Sequence, residues 1–455
     1  MATATQIRLQ PPADVACARA RAPTDKSLET ASRLLQKNHN DHHIFWRPVA
    51  GHNHVAHSVL NILALGGGPR DLQRAFNDGV DIQVPMPPLD EEAVARMSSN
   101  SNSSSPDDPL RVWMGRLDQY PNFLHFFSRE IEAKGAPTVI RQYCFGGTSV
   151  AETMFANLFE GLYHPLIHLA LGVEFEQPGI VAEGLAQAAC HDSMGIEPFL
   201  VRSEARARTT TAGAGGSPRP LMELFDAVRD NAALQKAAHG YEDGPARVRD
   251  GILGVAGEEI TAIAAAFRVP VEQWHRRAAE MYSCAAYLAG AAQRPGKARK
   301  VDFFHLHTVT AALGLMVLLQ QPWIRDREKA RLLEWKTRVD LVWYAATGAV
   351  ELRLPDVVAY KPRHEDWDWE RLYQATLQVH DDGHLAKVVR ALRVGEQIVR
   401  PWEQGHQAEF CPITGPLWLR IAQLAYDSSA AHPIEEKWIW GVGFDQNWAA
   451  VPALL

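Results

Sequence analysis

Cysteine is scarce in this chain of 455 residues. Cys17, Cys144, Cys190, Cys284 and Cys411 stand far apart and form no Cys-x-x-Cys pair. Such a set offers neither a disulfide framework nor a zinc ribbon, and it fits a reducing compartment. Long hydrophobic runs are missing as well. The longest, VTAALGLMVLL, is too short to span a bilayer, and the opening MATATQIRLQPPADVACARARAPTDK lacks the apolar core of a signal peptide. These absences predict a soluble, cytoplasmic protein with no membrane partner. The net charge is -7 with no long basic stripe, which argues against nucleic acid as a partner. Nucleotide motifs are absent too. ALGGGPRD holds three glycines in a row rather than GxGxxG, GILGVAG follows no strand, and neither a Walker A motif nor a GxSxG elbow occurs. Those gaps count against flavin, nicotinamide and ATP enzymes of the usual kinds.

What is present is helical. Apolar residues recur at i, i+3 and i+4 in DKSLETASRLLQKNH, AETMFANLFEGLYHPLIHLALG, VEQWHRRAAEMYSCAAYLAGAA, REKARLLEWKTRVDLVWYAATGAV and WERLYQATLQVHDDGHLAKVVRALRVGEQIV. Alternating strand patterns are scarce, and no fixed-period repeat is evident. The expected fold is mostly α, a single large helical domain over residues 25–455 behind a flexible extension of residues 1–24. MSSNSNSSSPDDP (97–109) and RARTTTAGAGGSPRP (206–220) read as loops without separating domains.

Nineteen histidines is many for this length, and they cluster. NHNDHH holds His39, His42 and His43; GHNHVAHSVL holds His52, His54 and His57; YHPLIHLALG holds His164 and His168; DFFHLHTVTAALGL holds His305 and His307; HDDGHLAKVVRAL holds His380 and His384. Residues three or four apart share a helix face, so His54 pairs with His57 and His164 with His168. Pro165 would clash with the carbonyl of Gly161, which predicts a kink or a fresh helix start there, and a freed carbonyl able to orient an imidazole. His305 and His307 point apart; His307 shares its stripe with Phe303, Phe304, Thr310, Ala311 and Gly314, which favours it for the inside. A lone buried histidine is usually a satisfied core residue. Several pairs inside apolar stretches are harder to explain so, because each unpaired buried polar side chain costs about 1–3 kcal/mol. One shared metal would satisfy them together, and imidazole suits iron, zinc, copper and nickel.

Lys387 stands three residues beyond His384 in DDGHLAKVV, where Asp381 or Asp382 can cap the helix and place both on one face. The bland reading is a lysine that snorkels or pairs with an acid. A protonated lysine has no lone pair for a metal. It can act as a charged anchor, or lose its proton by desolvation and take up carbon dioxide as a carbamate, an anionic oxygen ligand.

In this order LLQKNHNDHHIF, GHNHVAHSVLNILALGGGPRDLQRAF, YHPLIHLALGVEF, DFFHLHTVTAALGL, HDDGHLAKVVRAL and WIWGVGFDQNW resemble the questin oxidase-like family of fungal secondary metabolism, over nearly the whole chain after residue 25. The resemblance implies oxidative ring cleavage of anthraquinone-type or related polycyclic aromatic polyketides with O2, by a non-haem iron centre. It implies nitrogen ligands at His57, His164, His168 and His307, an oxygen ligand from carboxylated Lys387, and acid/base roles for His384 and His54. Two positions depart from the pattern. His305 stands where an apolar residue is expected, and Ser58 where a further histidine often follows His57; His305 thus stays beside His307, and His54 beside His57, as alternative ligands. Trp46, Phe126, Phe127, Phe303 and Phe304 are lining residues for a flat aromatic substrate.

Three rival readings stand beside this one. A zinc or nickel hydrolase would use the same histidines with Asp381 or Asp382. A metal-free Baeyer–Villiger-type monooxygenase would consume NADPH, which stays open as a co-substrate. A non-catalytic pigment binder would need the histidines only for stability. An apolar outer helix face leaves a homodimer open.

Overall fold

The computed structural model describes residues 1–11, 20–48, 51–98, 109–211 and 218–453. Helices dominate, and the strands among the described residues are a short antiparallel ribbon of Phe45–Arg47 and Gly51–His52. The mostly α expectation holds. The contacts group into two compact units whose segments alternate along the sequence. The first comprises Met1–Ser193, Gly314–Ile324 and His380–Lys387; the second comprises Met194–Leu313, Arg325–Val379 and Val388–Leu455. No described helix is long and apolar enough to cross a membrane.

In the first unit helix starts follow local chemistry. Thr24 accepts from the Ser27 amide and opens Asp25–Asp41, a helix that buries Leu28, Ala31, Leu34, Leu35, Asn38 and His39. Thr148 caps Ser149–Asn157 in the same way. Pro178 begins Pro178–Cys190, where its missing N–H costs nothing. That helix packs tightly on Glu160–Glu174. A Cβ at Gly184 would stand 2.6 Å from the Leu169 Cα, so only glycine permits the approach. Phe123, Phe126, Phe127 and Tyr143 fill a buried aromatic cluster with edge-to-face and stacked rings.

Two expectations for the chain's irregular parts are corrected. The extension is not loose over its first residues: Ala4, Ile7 and Leu9 are buried. The amides of Ala4, Ile7, Arg8 and Leu9 donate to Glu132, Gln36, Gln177 and Ser32. The apolar side chains of ATQIRL give the segment something to bury, and side-chain oxygens stand in for a strand partner. Residues 12–19 of the extension lie outside the described residues. The loop expected at 206–220 begins late, because Ile196–Thr211 stays helical, with Arg208 bonded to Glu204 one turn back. Likewise Glu91–Ser98 carries helix to residue 98. The remainder of both loops, 99–108 and 212–217, lies outside the described residues.

The second unit is built on Trp274–Ala291, Asp326–Ala346 and Leu417–Ser429, whose inward faces are almost wholly buried. Asp302 closes one end of it. Its carboxylate accepts from the amides of Phe304, His305, Gly441 and Val442, starting the helix Phe303–Leu319 and anchoring the GVG turn.

Candidate metal centre

The site begins with backbone strain in the first unit. Gly161, Leu162 and Tyr163 all have left-handed dihedrals, at φ 51, 59 and 63°. Left-handed backbone costs a non-glycine residue about 1–2 kcal/mol, and two of these three carry side chains. The excursion ends one helix and starts another at His164–Pro165, as the proline predicts. It also delivers the freed carbonyl: His164 Nδ1 donates to the Gly161 oxygen at 2.5 Å. A Cβ at Gly161 would stand 2.1 Å from His191 Nε2 and 2.6 Å from His52 Nε2, so the residue must be glycine on steric grounds as well.

His54 ends the turn before Val55–Ala64, and His57 lies in that helix's first turn. Their rings stack with centroids 5.4 Å apart, the shared face expected of that spacing. Asp381 accepts from the Leu385 amide and caps His384–Val399. Gly383, at φ 96°, has its Cα against Ser58, where a Cβ would strike the hydroxyl at 2.2 Å. His384 and Lys387 therefore enter the cluster in the first turn of their helix.

The hydrogen bonds assign the imidazole protons. His164 Nδ1 faces a carbonyl, which only accepts, so Nδ1 carries the hydrogen and Nε2 is an acceptor. His54 Nδ1 faces Asp382 Oδ2 at 3.7 Å, an electrostatic contact longer than a hydrogen bond. His54 Nε2 and His164 Nε2 stand 2.7 Å apart. A hydrogen on His54 Nε2 meets that contact as a hydrogen bond, and a metal ion meets it when both nitrogens present lone pairs. His168 Nε2 donates to Glu183 Oε2 at 2.6 Å, which makes Nδ1 an acceptor, and that Nδ1 lies 3.2 Å from His57 Nε2. His384 Nδ1 donates to Asp382 Oδ1 at 2.7 Å. With metal–nitrogen bonds of about 2.1 Å, adjacent ligands on one ion stand about 3 Å apart. The contacts here match. Ligand atoms of His54, His57 and His164 all lie within 4.8 Å of one another, as do those of His54, Asp382 and His384. The donor set fits a metal ion.

Electrostatics favour a bound ion over a trapped proton. Burial, then Lys387 and His384, push His54 down to about 3 against the pull of Asp382. Burial, followed by the neighbouring cations, holds His52 and His57 well below the usual imidazole range. His384 is lowered by burial although Asp382 opposes this. Burial works to raise Asp382 and Glu183, yet their histidine partners win: Asp382 sits well below the carboxylate range, and Glu183 is drawn to about 2. Burial pushes Lys387 down to about 8, with Asp382 and Asp381 resisting. Its Nζ is buried without a hydrogen-bond partner, as is His57 Nδ1.

Of the residues singled out from sequence, His54, His57, His164, His168, His384 and Lys387 come together in the first unit. His307 belongs to the second unit; its Nδ1 donates to the Phe303 carbonyl at 2.7 Å, the same build as His164. His305, its alternative, bonds Thr347 Oγ1 through Nε2 at 2.8 Å. Among the aromatics, Trp46 donates to the His52 carbonyl at 3.1 Å. Phe126 and Phe127 are packed into the Tyr143 cluster. In the second unit Phe303 stacks on Trp440 and Phe304 on Trp343. Sequence reading missed Glu183, His39, His52 and His191 as partners. His52 stacks on His164 at 4.0 Å and meets His191 Nε2 at 2.9 Å. Their contacts link positions 139 and 144 residues apart, beyond any periodicity. The one available signal was a glutamate in the otherwise uncharged helical stretch VAEGLAQAA.

Comparison with known proteins adds an independent line. The description Questin oxidase-like matches residues 51–392. A protein of Aspergillus fumigatus named questin oxidase is 67% identical over all of both chains. A questin oxidase of Aspergillus terreus is 55% identical over all of this chain and 99% of its own. A Baeyer-Villiger oxidase of Pestalotiopsis fici is 51% identical over 99% of each.

Proposed function

This chain belongs to the questin oxidase-like family, and from that premise we propose that it is an oxygenase cleaving a ring carbon–carbon bond of an anthraquinone-type or related polycyclic aromatic polyketide, with O2 and a non-haem iron centre. Oxidoreductase chemistry follows from its relatives, which are named as oxidases. The iron centre is our reading, and one observation carries it: the ligand atoms of His54, His57 and His164 converge within 4.8 Å, with His54 Nε2 and His164 Nε2 only 2.7 Å apart.

The centre proposed here is drawn from the first unit, with His54, His57, His164 and His168 as nitrogen donors. Lys387 joins them as a carbamate: its neutral amine adds to the carbon of carbon dioxide and releases one proton, leaving an anionic oxygen. Iron, when bound, would supply the one-electron chemistry by which dioxygen reacts with an electron-rich ring. The chain supplies the rest. Gly161, Asp382 and Glu183 fix the tautomers, so no ring must turn over when a ligand arrives. His384 holds a proton at Nδ1 against Asp382, which makes Nε2 a base that can take a proton from substrate. The buried imidazole stack excludes water from the reacting face.

The test is metal analysis of the purified chain beside His164→Ala, with anaerobic reconstitution and a ring-opening assay on an anthraquinone. We expect about one iron per chain, lost with activity in the variant. Bound zinc with hydrolysis would favour the hydrolase. The relatives' Baeyer-Villiger names keep one further reading in view, a metal-free oxygen insertion consuming NADPH. Full turnover after exhaustive chelation, with NADPH consumed in proportion to product, would replace the iron reading by that one.

A further inference from the structure

We propose that Glu183 is a positioning residue for the metal centre, and that His39 is the lock that keeps it in that role. The inference rests on the metal reading above. Both oxygens of Glu183 are occupied. Oε2 accepts from His168 Nε2 at 2.6 Å and Oε1 accepts from His39 Nδ1 at 2.6 Å. The carboxylate is 2% exposed, and His168 is fully buried. With its Nε2 hydrogen committed to Glu183, His168 presents Nδ1 as the donor atom beside His57 Nε2. Glu183 thus selects which nitrogen of His168 faces the metal.

The second histidine explains why the glutamate does not itself become a ligand. A carboxylate with a spare oxygen beside a metal would swing toward it. His39, arriving from Asp25–Asp41, fills that oxygen with an N–H donor. The backbone removes the remaining freedom. Gly184, the next residue, has its Cα against Leu169, one residue beyond His168, so the glutamate cannot back away from the imidazole it holds. The arrangement is a carboxylate clamped between one imidazole that faces the metal and one that does not. A carboxylate behind a metal-bound imidazole raises the basicity of the nitrogen facing the ion, and its loss typically weakens metal binding about 10–100-fold.

Cobalt(II), titrated into full-length protein stripped of metal, is the probe, with affinity read by calorimetry and coordination by the visible d–d bands. Glu183→Gln keeps the shape but removes the charge. It should bind cobalt about 10–100-fold more weakly, while metal-free protein unfolds near the wild-type temperature. His39→Leu should bind cobalt more weakly and shift the bands, since an unlocked Glu183 can reach the ion. Glu183→Asp should recover part of the affinity. Wild-type affinity and bands in Glu183→Gln would overturn the inference and leave the metal reading standing. If Glu183→Gln does not fold, His39→Leu decides: unchanged affinity and bands overturn the proposal. Wild-type protein that takes up no cobalt overturns the metal reading and this inference with it.

Discussion

Lys336 in the second unit and Lys387 in the first are both buried on long helices, and their surroundings differ in kind. Lys336 stands one turn before Asp340 and donates to its carboxylate at 2.7 Å. Arg277 with Glu280 and Arg338 with Glu334 repeat that scheme. Each pair lies within one helix at i,i+3 or i,i+4, so the charge of each cation is met on its own helix. Lys387 has no such partner. Its Nζ makes no hydrogen bond; burial depresses its charge, Asp382 and Asp381 support it, and it in turn lowers His57. A buried cation paired on its own helix is structure. A buried amine without a hydrogen bond, set among imidazoles, is unfavourable unless something binds there.

The largest effect expected from this contrast lies in the second unit. Asp340→Ala should cost about 3–5 kcal/mol, because it strands the Lys336 ammonium in the interior. Thermal or denaturant unfolding reads this directly. Lys387→Met removes no hydrogen bond and nearly conserves volume, so stability should hold within about 1.5 kcal/mol, while iron content and turnover collapse. Equal destabilisation by the two substitutions would erase the distinction between the lysines.

Gly161→Ala tests the same contrast through the backbone. The new methyl would meet two imidazoles in a left-handed conformation, and the carbonyl that orients His164 would move. We expect loss of metal and activity, with a stability cost of about 2–3 kcal/mol. Gly290→Ala is the control in the second unit, where a Cβ meets the Ile421 side chain alone, within an ordinary helix and with no left-handed backbone. It should be milder and leave the metal in place. Calorimetry and metal analysis on both variants check the ordering.

How much of this was legible depends on the range of each interaction. The helices, the shared face of His54 and His57, and the Gly161 carbonyl freed by Pro165 follow from spacing of a few residues. Lys387 was marked by a cation in an apolar pattern. Glu183 and His39 were not legible, since what makes them special is a meeting across 144 residues of chain. The packing of the aromatics was not legible either. Phe126 and Phe127 suit a substrate wall by composition, and only the fold shows their rings packed with Phe123 and Tyr143. The N-terminal segment read as loose because a stretch held by other residues' side chains carries no periodicity of its own.

A third buried lysine separates the two modes further and gives the smallest effect. Lys300 donates to the carbonyls of Ser428 and Glu436 at 2.7 and 2.8 Å, with neither an acid nor an imidazole accepting from its ammonium. Burial, against the pull of Glu436, brings it down to about 8 from 10.5. Between those values the unfolded chain keeps a proton that the folded chain has released. Linkage then requires the stability contribution to rise with pH across that window, the penalty being full below pH 8. Cys144 works with the opposite sign. Burial moves its thiol from 9 up to about 12, so the unfolded chain loses that proton first and stability falls as pH climbs past 9. The two are separated by difference: the unfolding free energy of wild type minus that of Lys300→Met should rise from pH 8 toward 10.5, since Cys144 is common to both. A flat difference curve would mean that the carbonyls fully offset the burial of the Lys300 charge, and Lys300 would join the structural cations.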